Sequence, residues 1–173
     1  MPHWSPGRLA ARLPFLDARA RMTARARAFF AARAVREVET PCLVPAPGME
    51  VHLRGFRADF LPHLGQGERQ RLWLRTSPEM ALKRLLAGGS GPVFEFARVW
   101  RNGEIGRTHA PEFTMLEWYR PGFTLEALMD ETEALVRALC PHPSCAPPFR
   151  RITCAGAFRA WVGLDLLASI RPD

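Results

Sequence analysis

Two segments, "PVFEFARVWRN" (92–102) and "EFTMLEWY" (112–119), limit the possible folds most. Each alternates with a period of two, the spacing of a strand with one face buried. In the first, Val93, Glu95, Ala97, Val99 and Arg101 share one face, and Phe94, Phe96, Arg98 and Trp100 share the other. In the second, Phe113, Met115, Glu117 and Tyr119 lie together. Glycines at 103 and 106 sit between them, so the pattern predicts an antiparallel hairpin joining 93–102 to 112–120 across a long tip. In that register Arg101, Phe113, Glu117 and Tyr119 face one cleft.

The residue types on that cleft suit a particular chemistry. Arg101 carries a planar fork of donors that matches a phosphate or carboxylate in two-point contact. Phe113 offers a flat face for a base. Arg107 and His109, on the tip, can close over further phosphate oxygens, while Glu79, Glu117 and the Tyr119 hydroxyl suit a cationic amine. Together they describe a site for an anionic nucleotide beside an amino compound. Taken singly, each residue has a plainer reading. Charged residues in a hairpin tip are usually solvated, and a surface pair to Glu117 is worth about 0–1 kcal/mol. Glu79, in the first turn of a helix, complements the helix dipole by about 0.3–1 kcal/mol. It is the set in register on facing strands that favours a site.

The remaining organisation is that of one domain of 173 residues. Leu9, Leu13, Leu16, Met22, Ala26, Phe29 and Phe30 recur at helical spacing, with Pro14 tolerated only near the start of the helix. "VREVETPCL" (35–43) reads as a short strand closed by Pro41, and residues 45–70 as loops around a weak strand near "LRGFRADF" (53–60). "LWLRT" (72–76) predicts a strand. "SPEMALKRLLAGG" (77–89) predicts a helix with Ser77 as N-cap, Pro78 at the first helical position and Gly88 as its stop. A helix over 125–139 follows, then the Pro-rich linker "CPHPSCAPP" (140–148) and a final segment that includes "FRRITCAGAFRAWVGL".

Several function classes fall away. No run approaches the ~18 apolar residues of a membrane span, and the N-terminal stretch lacks the apolar core of a secretion signal, so a cytoplasmic location is expected. Cys42, Cys140, Cys145 and Cys154 show no metal-ligand spacing, which predicts reduced structural thiols and no metal site. The net charge of +7 would suit nucleic acid. However, Lys83 is the sole lysine among 24 basic residues, and the arginines are scattered, as on a solvated surface.

"REVETPCL", "TSPEMALKRLL", "RVWRNGEIGRTHAPEFTMLEWY" and "FTLEALMDETEALV" resemble the catalytic domain of class II aminoacyl-tRNA synthetases, in the lysyl branch, and most of all the paralogues that ligate lysine to elongation factor P. The first string resembles the family's motif 1, at a dimer interface, and the hairpin resembles motif 2. The resemblance implies an α+β fold, a partial class II antiparallel sheet flanked by helices, with residues 1–173 as the N-terminal half of the catalytic domain and motif 3 absent. It implies that Arg101 holds the α-phosphate of ATP and the substrate carboxylate, as the catalytic residue. Asn102, Glu104, Arg107, His109 and Phe113 complete the ATP site, and Ser77, Glu79, Glu117 and Tyr119 bind the amino acid. It further implies a homodimer through motif 1, no anticodon binding, and Mg2+ held by acids in the missing half.

The implied activity is ATP-dependent activation of lysine or β-lysine as an adenylate, followed by ligation to a lysine of elongation factor P, impaired by the truncation. A lysine-tRNA ligase fragment, or a non-catalytic remnant serving as an interaction module, is the alternative. The chain departs from the family pattern at Gly103, where a glutamate is usual, and at Ala110, where an asparagine is usual. A fragment of this kind should also expose an apolar patch or an unpaired strand edge.

Overall fold

The computed structural model describes residues 5–62, 68–145 and 148–169. Part of the loop expected around "HLGQGER", part of the Pro-rich linker and the last four residues of the chain lie outside these. The order is α1 (Pro6–Ala10), α2 (Leu13–Ala31), β1 (Arg36–Glu37), β2 (Leu43–Val44), β3 (Phe56–Phe60), β4 (Gln70–Leu74), α3 (Glu79–Ala87), β5 (Val93–Trp100), β6 (Glu112–Tyr119), α4 (Leu125–Leu139), a 3-10 turn at Pro143–Cys145, α5 (Cys154–Val162) and α6 (Leu166–Ser169). The fold is α+β.

The hairpin has the register expected from its alternation, running from Val93 opposite Tyr119 to Trp100 opposite Glu112. Its even-numbered face is the floor of the core. Phe94 stacks on Phe30 of α2 with centroids 4.5 Å apart, and Trp118 lies 5.7 Å from the same ring. Ala26, Phe29, Val35 and Leu135 of α4 close the cluster. Phe30 is fully buried, a contribution of about 1.5–3 kcal/mol. The odd-numbered face is covered too along β5, where Val93, Glu95, Ala97 and Val99 are buried, and it is on β6 that Phe113, Glu117 and Tyr119 of this face stay partly exposed.

Three details differ from the sequence reading. The N-terminal helix is interrupted at Ala11–Arg12, because the ring of Pro14 clashes with a carbonyl four residues back and lets a helix start but not pass through. The sheet is not wholly antiparallel. β1 pairs in parallel with β5, over a connection long enough for a crossover. A separate antiparallel sheet has the order β2-β4-β3. Third, α3 begins at Glu79 with Pro78 at the N-cap, although Ser77 Oγ does accept the Glu79 N–H at 3.0 Å. At its other end Gly88 has an ordinary φ, and it is Gly89, at φ 84°, that turns the chain in the left-handed region.

The two sheets meet at the end of β4. Arg75 N–H donates to Cys42 O, and Arg75 O accepts the Trp100 N–H at 2.9 Å. Asn102 N–H bonds to Arg54 O, which pins the hairpin tip to the segment before β3. The expected apolar exposure is present: Phe15 on α2 is 74% exposed, Trp161 and Val162 on α5 are 65% and 68% exposed, and β6 ends its sheet among the described residues. No disulfide joins Cys42, Cys140, Cys145 or Cys154. No helix of the described residues is long and apolar enough to cross a membrane.

Candidate active site

The cleft is built where β5, β6 and the turn into α3 converge. Glu117 is its centre. One carboxylate oxygen accepts the Tyr119 hydroxyl at 2.6 Å, and the other accepts Ser77 Oγ at 2.9 Å. Ser77 also holds the first amide of α3, so it ties Glu117 to the end of the helix that carries Glu79. Glu79 pairs with Lys83 one turn on. A cavity of about 420 Å³ lies alongside, between residues 41–50 and α3, with Ser77, Glu79 and Lys83 on its wall and none of Arg101, Phe113, Glu117 or Tyr119.

Burial, and next the hydrogen bond to Glu117, push the Tyr119 phenol above its ordinary pKa. The neutral phenol is therefore held in the fold. Its stabilising contribution is complete below the ordinary value of 10.0 and is lost as pH rises above it. Tyr119 is the sole tyrosine, so tyrosinate absorbance reports on it directly. Native protein is expected to show no ionisation near pH 10, and Glu117→Gln to move the transition back toward that value. Ionisation of the parent at the ordinary pKa would mean that the phenol–carboxylate contact is absent.

The nucleotide-type residues lie at the other end of the cleft. The Arg101 guanidinium is 5.3 Å from the centre of the Phe113 ring, its Nε reaches Thr76 O at 3.5 Å, and Glu104 sits 4.0 Å away. Arg101 is three-quarters buried, which strengthens any contact it makes with an anion. Arg107 and His109 are exposed in a tight turn closed by reciprocal Gly106 and His109 backbone bonds. Asn102 is exposed, and its described bond is a backbone one. Thus two groups share this face, Arg101 with Phe113 and Glu104, and Ser77 with Glu117 and Tyr119, linked through the Thr76 carbonyl that Arg101 reaches, whereas Arg107 and His109 are exposed on the tip. Gly103 adopts φ 84°, a conformation that favours glycine, so the residue found there in place of glutamate fits the turn it makes.

A second layer was not singled out in the sequence. Directly across from Glu117 on β5 is Glu95, a like charge in register. Glu95 is 2% exposed and is neutralised by Arg75 at 2.6 Å. The same guanidinium donates to Thr40 O and Arg98 O, each at 2.9 Å, while Glu95 accepts from Thr40 Oγ1 at 2.7 Å. The one available signal was the alternation that put Glu95 on the cleft face; nothing pointed to Arg75 or Thr40.

Among the described residues, no group of three or more His, Cys, Asp or Glu side chains is arranged to hold a metal ion.

Residues 10–167 match the family model for class II tRNA synthetases of the aspartate, lysine and asparagine group. The chain belongs to that family. Two relatives, from Haemophilus influenzae strains PittGG and Rd, each carry the name elongation factor P–(R)-β-lysine ligase. They are 42% and 41% identical over 171 residues, 99% of this chain and 50% of each relative. This class II synthetase chain thus spans about half the length of the curated relatives it matches.

Proposed function

We propose that the chain forms the ATP- and amino-acid-binding half of a ligase that activates lysine or (R)-β-lysine as an adenylate and passes it to a lysine of elongation factor P. The observation that carries the reading is the pairing, on one cleft, of a guanidinium over an aromatic face with a carboxylate held by a phenol and a hydroxyl. Arg101 would hold the α-phosphate and the amino acid's carboxylate together, with adenine on Phe113. Charge developing on phosphorus as the carboxylate attacks would then meet a fixed cation. Glu117 and Glu79 would take the amine, and Lys83 would leave Glu79 when a substrate ammonium arrives. Asn102, Glu104, Arg107 and His109 would complete the phosphate side from the tip. The relatives' printed names supply the acceptor and the amino acid. The further reading of a homodimer is through the motif 1 region, "REVETPCL" (36–43), which follows α2 and its exposed Leu13, Phe15 and Leu16.

Isothermal calorimetry tests the nucleotide end. ATP is expected to bind, and Arg101→Ala to weaken binding by about 1.5–3 kcal/mol, roughly 10- to 150-fold. Equal affinities for the parent and the variant would overturn the assignment of Arg101.

A further inference from the structure

Outside the cleft, the connection from α4 to α5 places two thiols side by side. Cys145 Sγ–H donates to Cys140 Sγ at 3.2 Å. The contact is framed by local backbone. Cys140 closes α4, its N–H bonding to Val136 O at 2.8 Å, and the Cys145 N–H returns to His142 O at 2.9 Å. The 3-10 turn at Pro143–Cys145 therefore bends the second sulfur back onto the helix end. Both residues are partly exposed, so a small oxidant can reach them. The sulfurs need approach by only about 1.2 Å to reach bonding distance, within the play of a short loop.

We propose that Cys140 and Cys145 are a redox modification site, closing to an intramolecular disulfide by exchange with a low-molecular-weight disulfide such as glutathione disulfide. The Cys140 thiolate attacks one sulfur of the oxidant, forming a mixed disulfide and releasing one thiolate. Cys145 gives up its proton and attacks the Cys140 sulfur, and the second thiolate leaves. Two protein thiols are oxidised, one small disulfide is reduced to two thiols, and the two protons lost by the protein balance the two thiolates released. Cys140 is suited to be the attacker. The His142 backbone N–H and, after it, the Cys145 thiol lower its pKa. Reaction at neutral pH rises with the thiolate fraction, tempered by nucleophilicity.

The test uses the chain as it stands, titrated with glutathione and glutathione disulfide and read by intact-mass and peptide mass spectrometry. The expected product has lost two hydrogens, with the link mapped to Cys140 and Cys145. Thiol loss at Cys140 is expected to be about threefold to tenfold faster than at Cys154, which is the more exposed of the two. Cys145→Ser should stop at a stable glutathione adduct on Cys140. Separate adducts on both residues of the parent without loss of two hydrogens, or equal rates at Cys140 and Cys154, would overturn the proposal.

Discussion

Glu95→Ala is expected to destabilise the fold by about 3–5 kcal/mol, because it leaves the Arg75 guanidinium charged, 3% exposed and without its counter-ion. Glu95→Gln should cost less, since the amide oxygen can still accept from Arg75 while the amide nitrogen donates to Thr40 Oγ1, and the shape of the site is kept. Replacing both Arg75 and Glu95 by apolar residues would not restore stability. Arg75 also donates to the carbonyls of Thr40 and Arg98, and both acceptors would lose that donor. Urea unfolding checks the series: the midpoint should fall in the order parent, Glu95→Gln, Glu95→Ala, with the slope unchanged. A Glu95→Ala midpoint equal to that of the parent would show that the pair does not hold the sheets together.

This network also explains why the fold was only partly readable in the sequence. The hairpin was legible because its two faces carry different residue types in alternation, aromatic residues packed on α2 on one side and small, β-branched and charged residues on the other, and a period of two records that division even though both faces of β5 are largely buried. The position of α3 over the cleft was not. It depends on Arg75 reaching from the end of β4 to a strand twenty residues on and to Thr40 behind it, and an arginine at a strand end carries no local sign of its distant partners. The parallel pairing of β1 was hidden for a similar reason, since two paired residues are too few for periodicity to show direction. Ser77 is an intermediate case. Its capping role was written in the local sequence, but its bond to Glu117, forty residues away, follows only from the meeting of α3 and β6.

The site divides along the same line. Strand register puts Arg101, Phe113, Glu117 and Tyr119 on one face, the first two in contact at one end and the last two in contact toward the other. Arg107 and His109 are grouped with them by residue type, yet the structure leaves both exposed in a turn of the tip closed by the Gly106 and His109 backbone bonds and by a Thr108 Oγ1–His109 Nδ1 contact at 3.2 Å. Local chemistry identified these residues as candidates for phosphate. Only a bound ligand would draw them over it, at the cost of ordering two mobile-natured side chains.

On the proposed reading, a polypeptide of these 173 residues alone is expected to form adenylate at least ~10²–10³-fold more slowly than the Haemophilus influenzae relative assayed beside it, while still binding ATP. Attack at the α-phosphorus develops charge on that centre and on the departing pyrophosphate. Arg101, a partly buried cation, would meet the first, and Arg107 and His109, both exposed on the tip, would have to meet the second. Loss of one preorganised electrostatic contact typically costs that factor, and charge left in water is stabilised far less than charge held in a closed cleft. The cavity beside Glu79 is also open toward solvent through Lys83, which is 57% exposed, so the amine would be held by a hydrated carboxylate. Pyrophosphate release driven by lysine or (R)-β-lysine, measured with calorimetry of ATP on the same sample, checks this. Turnover within about tenfold of the relative would show that the residues assembled on this one hairpin and helix suffice for activation. Absence of ATP binding would instead remove the nucleotide site itself.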